Sequence, residues 1–370
     1  ARLAVSNQKP GARSPGAGTF PFQTGGYPMK KTILTGVSVL ALTLSGAAFA
    51  QNNESTVTQG GPNQSATVLQ TGADSDSIVS QGNGNNTANV QQLADTDLAK
   101  SNVLQTANGA RASVIQTSGA ADSLITQSGG AQNASVYQDG SSSSIITQSN
   151  RFNEASVSQT GDLNTSTVLQ SGVNGAAGDP DNNYGTADPV GLVGVTQSGD
   201  GNDSLIVQIG DNTVAVVDQS GDDNDARVNQ GGDFSNAVVT QGGNRNFANV
   251  IRQSADGTGD GTPANQPVDP DIFADAQVNQ TGDDNDALIT QDAVPVLASI
   301  TQDGNENSST IVQTATSSGS SAITTQFGNQ NDSLITQSGT GASATVSQTD
   351  VPSGNGRPRL RGDDGRDVAG

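Results

Sequence analysis

The 370-residue chain contains no cysteine, no histidine and no tryptophan. Without cysteine there is no disulfide framework and no thiol nucleophile. Without histidine there is neither the usual zinc ligand nor an imidazole that exchanges protons near neutral pH. Cofactor and enzyme chemistry therefore have little to work with, and neither is expected. Aromatic residues are 3% and hydrophobic residues 32% of the chain, a composition that by itself describes a disordered polymer. Basic residues are also scarce, 15 against 36 acidic. Five of the 15 (Arg2, Lys9, Arg13, Lys30 and Lys31) fall in residues 1–50, which hold no acidic residue, so residues 51–370 carry 10 − 36 = −26. That charge excludes nucleic acid and anionic lipid as main partners, because both demand a basic face.

Long apolar runs are missing too, apart from residues 32–44, a run too short for a comfortable membrane span. It follows Met29-Lys30-Lys31 and precedes Ala48-Phe49-Ala50, the order of a secretory signal. Residues 29–50 are therefore expected to be a signal peptide cut after Ala50, and the Pro/Gly-rich residues 1–28 an upstream or mis-set start. The mature chain is expected to be secreted, with no membrane span.

What the chain has is glutamine at fixed spacing. Twenty-four glutamines run from Gln59 to Gln348, and 17 of the 23 intervals between them are 11 residues. Before each stands Ala or Ser, any residue, Val or Ile, and any residue. Val/Ile fails only at Thr324, and Ala/Ser only at Val193 and Asn249. A period of 2 within this five-residue core puts the small residue, the aliphatic and the glutamine on one side of a strand. The Gly, Asn, Asp and Ser between cores are turn formers.

From Gln159 onward the turns alternate. One kind carries Gly two residues and Asn five residues after the glutamine: Gln197 with Gly199 and Asn202, Gln219 with Gly221 and Asn224, Gln241 with Gly243 and Asn246. The same spacing joins Gln280 with Gly282 and Asn285, Gln302 with Gly304 and Asn307, and Gln326 with Gly328 and Asn331. The turns after Gln208, Gln230, Gln291, Gln313 and Gln337 lack the Asn. The unit is thus a two-strand rung of about 22 residues, repeated about 12 times. The expected fold is all-β, a β-solenoid over residues 51–348 with cross-β, amyloid-like stacking, and a disordered tail over 349–370. Two 27-residue intervals predict insertions at 171–194 and 254–277, both replacing the second kind of turn and so leaving from one edge. The extra residue before Gln253 predicts a β-bulge, and the two extra before Gln105 and Gln326 predict longer turns. Stacking rungs about 4.8 Å apart would align glutamine on glutamine, each amide bonding the next, and leave two open ends able to template another copy.

These residues resemble the curlin family, the subunits of curli functional-amyloid fibres. The family's repeat, Gln-x-Gly-x-x-Asn-x-Ala/Ser-x3-Gln at its centre, is matched by Gln219, Gly221, Asn224, Ala226 and Gln230. Gln280, Gly282, Asn285, Ala287 and Gln291 match it too, as do Gln326, Gly328, Asn331, Ser333 and Gln337. The resemblance covers about residues 55–348. It implies a secreted subunit that polymerises with itself into an extracellular, cell-surface fibre for adhesion and biofilm. It also implies a nucleator and an outer-membrane secretion machinery as partners, with the Gln and Asn positions as the ladder. A fibre nucleator or a non-polymerising surface adhesin, with the two insertions as contact surfaces, shares the same repeat and is the alternative.

Other chemistries compete for particular residues. Asp222, Asp223 and Asp225, and likewise Asp283, Asp284 and Asp286, are candidate calcium ligands, since calcium takes several oxygens. Calcium-binding β-helix repeats, however, run on nine residues with Gly-Gly-x-Gly-x-Asp, which favours a turn-forming role here. An ice-binding solenoid would need a regular outward threonine array, whereas Thr56 and Thr58 give way to Asn89 and Gln91 and then to Arg227 and Asn229. Arg361-Gly362-Asp363 matches a cell-adhesion tripeptide in a segment whose composition produces it easily by chance.

Overall fold

A computed structural model describes residues 39–42, 52–173, 176–177, 194–211, 213–233, 235–252, 274–293 and 296–350. The expected start segment, the cleavage site, Gln253, most of both insertions and the tail lie outside these residues. Among the described residues there is no helix, and the chain is a β-solenoid built from two parallel sheets. Consecutive strands go to different sheets, so each strand pairs with the strand one full rung away and every pairing is parallel. The 12-stranded sheet contains Glu54–Gln59 at one end and Asp332–Gln337 at the other, giving 12 rungs and eleven steps. The other sheet has 14 strands, of which one, Val39–Leu42, precedes the first rung and two are halves of one strand, leaving the same 12.

The period-2 pattern explains the burial. Along Asp203–Gln208, Ser204, Ile206 and Gln208 are buried while Leu205 and Val207 face outward. The aliphatic column, from Val57 to Val346, is nearly inaccessible throughout and forms one continuous core. In the 14-stranded sheet the described small inward residue is always alanine, as at Ala66, Ala215 and Ala344. In the other sheet it is mostly serine, as at Ser77, Ser144 and Ser333. Thr324, the one break in the aliphatic column, is fully buried in the place of a valine of similar shape.

Two expectations are corrected by register. The strand Phe247–Arg252 pairs residue for residue with both neighbours, so no bulge forms, and Arg252 stands between Gln230 and Gln291 where a glutamine was expected. The inward small residue of this strand is Ala248, not Asn249. The first insertion also lies elsewhere. Ala177 pairs with Ala155, and after a gap Val195 pairs with Val157 and Gln197 with Gln159. The extra residues, 178–193, thus interrupt a strand of the 14-stranded sheet instead of lengthening a turn, and Ala177 takes the position assigned to Val193. The second insertion, residues 253–273, does lie between strands, following Arg252 and preceding Ala274–Thr281. The longer turns before Gln105 and Gln326 are present, one with a register shift after Gln92 and one closed by Ser317 donating to the Thr314 carbonyl.

Val39–Leu42, inside the segment read as a signal, pairs with Ser65–Val68. A chain cut after Ala50 would lack this strand and leave Ser65–Gln70 at the sheet's edge. No helix among the described residues is long and apolar enough to cross a membrane.

Candidate functional site

The distinctive chemistry of this fold is its buried amides. In the 14-stranded sheet twelve glutamines, Gln70 to Gln348, form one unbroken column, each Nε2 donating to the Oε1 of the next rung at 2.8–3.0 Å. Gln197, Gln219, Gln241, Gln280, Gln302 and Gln326 lie in it. In the 12-stranded sheet the column runs from Gln59 to Gln208 and Gln230, then resumes from Gln291 to Gln313 and Gln337, at 2.7–3.0 Å. Arg252 interrupts it.

The second Nε2 hydrogen crosses the core. Gln219 donates to the Asp203 carbonyl at 2.9 Å, and Gln241 to the Asp225 carbonyl at 3.2 Å, the acceptor in each case being the first residue of the preceding strand in the opposite sheet. One amide therefore joins rung to rung and sheet to sheet. With both donors and the acceptor engaged, a buried glutamine costs little and its loss costs much.

Asparagine makes a second ladder in the turns. Asn224 donates from its backbone N–H and from Nδ2 to Asn202 Oδ1, at 3.1 and 3.0 Å, and Nδ2 also reaches the Gly243 carbonyl at 2.8 Å. Asn246, Asn285, Asn307 and Asn331 repeat the pattern. The column begins one rung before the residues singled out from sequence, at Asn164, whose Gln159-x-Gly161-x-x-Asn164 spacing carries the same signal.

Gly199, Gly221, Gly243, Gly282, Gly304 and Gly328 sit at φ of 100° to 133°. A Cβ on Gly199 would lie 2.2 Å from the Gly221 carbonyl oxygen, so both conformation and stacking require glycine. A third ladder escaped notice in the sequence. Three residues after the glutamine, an Asp or Asn accepts the backbone N–H of the rung before: Asp200 N–H to Asp222 Oδ1 at 2.9 Å, Asn244 N–H to Asp283 Oδ1 at 2.8 Å. The run Asp162, Asp200, Asp222, Asn244, Asp283, Asn305 and Asn329 was its signal.

Four of the six candidate calcium ligands have other partners. Asp222 and Asp283 belong to this ladder. Asp284 makes a paired contact with Arg245 at 2.7 Å, and that guanidinium holds its carboxyl below the usual range. Asp225 pairs with Arg227 at 2.8 Å, yet partial burial outweighs the arginine and raises its carboxyl; burial likewise raises Asp286. Asp223 occupies the left-handed corner of its turn at φ 57°. Among the described residues no three His, Cys, Asp or Glu converge as a metal site.

The stack is polar. Every glutamine oxygen in the ladders faces the N-terminal side and every asparagine Oδ1 the C-terminal side. Among the described residues, Gln59 Oε1 at the N-terminal end is buried without a hydrogen-bond partner, as is Asn331 Oδ1 at the C-terminal end, while Gln348 Nε2 donates to the Asp332 carbonyl and to no further glutamine. No protein-family model matches the chain, and no curated protein matches it in sequence.

Proposed function

We propose that this chain is a secreted structural subunit that adds end to end to copies of itself, forming an extracellular fibre of the curli kind that serves adhesion and biofilm. The observation that carries the reading is the complementarity of the two ends. Among the described residues the first rung presents a buried glutamine oxygen lacking a donor, and the last presents a glutamine Nε2 with no further glutamine to meet. The end rungs also carry inward residues of the same kinds. Ser55, Val57 and Gln59 with Ala66, Val68 and Gln70 correspond to Ser333, Ile335 and Gln337 with Ala344, Val346 and Gln348. A second copy placed on either end continues each column without a change of residue type. Open parallel edges offer unpaired backbone groups in register with those columns.

The test is growth from purified protein lacking residues 1–50. Fibres that elongate from preformed seeds, with a cross-β reflection near 4.7–4.8 Å along the axis, are expected. A chain that stays monomeric in the presence of seeds at any concentration would overturn the proposal and favour a non-polymerising adhesin.

A further inference from the structure

The two outer faces differ. On the 12-stranded sheet each rung places two side chains outward at the middle of the strand. In nine of the 12 rungs one of them is Ile, Leu or Val and the other is Ser, Thr or Asn. Examples are Ile78 with Ser80, Leu124 with Thr126, Thr167 with Leu169, and Leu288 with Thr290. The rung Leu205 with Val207 has two aliphatics, and only Thr56 with Thr58 and Arg227 with Asn229 have none. Several stand well into solvent, Ile78 at 40% and Leu334 at 68% exposure. The 14-stranded sheet is instead mostly Ser, Thr, Asn and Gln outside, carries Asp218, and is the sheet interrupted by residues 178–193. Neither insertion breaks a strand of the 12-stranded sheet.

We infer that the outer face of the 12-stranded sheet is a lateral interface for a second copy of this chain, packed face to face with both stacks running in the same axial direction. A dyad parallel to the stacking axis reverses strand direction but keeps rung order. It sets the first outward residue of each rung against the second outward residue of the same rung in the partner, Leu124 on Thr126, Leu205 on Val207. Large then meets small at nine rungs, and Arg227 meets Asn229. Such alternation lets facing sheets about 10 Å apart interdigitate. Only a partner with the same rung spacing can match it over the whole length.

Charge selects this dyad over the alternative. The first residue of these strands is repeatedly acidic, as at Asp76, Asp122, Asp203 and Asp286, making one negative margin along the sheet. A dyad along the strands would lay the two margins side by side. The dyad along the axis places them on opposite sides of the interface, each beside residues that are neutral, such as Thr106 and Ser128, with Asp292 the acidic exception. The face is about 53 Å long, from eleven steps of about 4.8 Å, and about 13 Å wide, from four residues of about 3.3 Å. It would bury about 700 Å² per copy, about 1,400 Å² in all, within the range of specific interfaces.

The inference rests on the solenoid and not on end-to-end growth, so the two can fail separately. The natural absence of cysteine permits a direct test on the full chain lacking residues 1–50. Leu124→Cys and Thr126→Cys variants are mixed and treated with a short bifunctional thiol crosslinker. Leu124–Thr126 heterodimers are expected at least tenfold over Leu124–Leu124 homodimers; equal yields, none, or preferential linkage of Leu124→Cys to Asn249→Cys, the contact of the opposite dyad, would overturn the inference. In parallel, Leu124→Lys, Leu205→Lys and Leu288→Lys together should convert a sedimenting dimer to monomer, or paired filaments to single ones with seeded elongation unchanged. Equivalent lysines at Tyr137, Val238 and Ile323 on the other sheet should not. If the first triple variant fails to fold, the crosslinking result alone decides.

Discussion

The glutamine ladder predicts a pH-dependent defect from a change of one atom. Gln219 is fully buried, accepts from Gln197 at 2.8 Å, and donates to Gln241 Oε1 and to the Asp203 carbonyl, both at 2.9 Å. Replacing it with alanine leaves one donor and two acceptors each short of a partner, at about 1–2 kcal/mol apiece, or roughly 3–6 kcal/mol. Glutamate has the same shape. One of its oxygens can still accept from Gln197, but the other, when ionised, points at two acceptor oxygens with no proton between them. Burial and those two acceptors push the carboxyl upward. A carboxyl whose folded pKa lies above its unfolded value contributes stability that is present below the unfolded pKa and lost as pH rises through the folded one. Gln219→Glu should therefore be at least as destabilised as Gln219→Ala at pH 7 and recover much of the difference near pH 4, where the protonated group donates to one acceptor. Urea denaturation followed by circular dichroism at both pH values measures this, with the alanine variant correcting for the rest of the acidic chain. Because rungs contact only their neighbours, hydrogen exchange should localise the loss around residues 197–241. A glutamate variant as stable as the parent at pH 7 would refute the argument.

Three further outcomes are expected. Gly221→Ala drives a Cβ to 2.2 Å from the Gly243 oxygen at φ 100° and should cost more than about 2 kcal/mol, whereas Gly339→Ala, with nothing within 4 Å, should be near neutral in the same melts. Asp286, raised by burial, favours the folded state only when protonated, so that contribution is present in acid and lost as pH rises through its folded pKa. Asp286→Asn should accordingly raise the melting temperature at pH 7 and flatten its rise on acidification. Deleting residues 178–193 joins Ala177 to Gly194 as one strand and should stabilise by up to about 2.5 kcal/mol of loop-closure entropy. Deleting 171–186 restores the same spacing but puts Val193 at an alanine position, and should unfold the neighbouring rungs.

The strands, their pairing into rungs and the two-sheet solenoid were legible because a period of 2 inside a period of 11 admits few arrangements. The turn glycines were legible because stacking makes their replacement impossible. Counting back from each glutamine failed at two places, because it assumes that the residue in register is always a glutamine and that no insertion interrupts a strand. At Arg252 the stacking residue is not a glutamine, and at Ala177 the strand begins before the insertion instead of after it. Register alone resolves both, since it depends on which residues of neighbouring strands pair. The Asp/Asn ladder was hidden by its mixed composition. Its role requires only a side-chain oxygen, which both residues supply, so charge varies down the column while geometry does not.

Direction was not legible at all, because an amide carries donor and acceptor together and a column of glutamines reads the same either way. In the folded chain it is fixed. Most of the Nε2 groups have a second hydrogen bonded to the opposite sheet, as Gln219 is to Asp203, and this pins the amide's orientation, so one flipped member would set oxygen against oxygen above or below it. The asparagine column is pinned in the opposite sense by the backbone N–H that shares each Oδ1, as at Asn224 and Asn202. The two ends are consequently unlike. Two N-terminal ends brought together would oppose glutamine oxygens, and two C-terminal ends would oppose asparagine oxygens, while an N-terminal end on a C-terminal end pairs the Gln59 and Gln70 columns with those of Gln337 and Gln348. If copies of this chain add to one another, the buried amides permit only the head-to-tail order, and a fibre so built has the same direction as the lateral partner selected by the acidic margin.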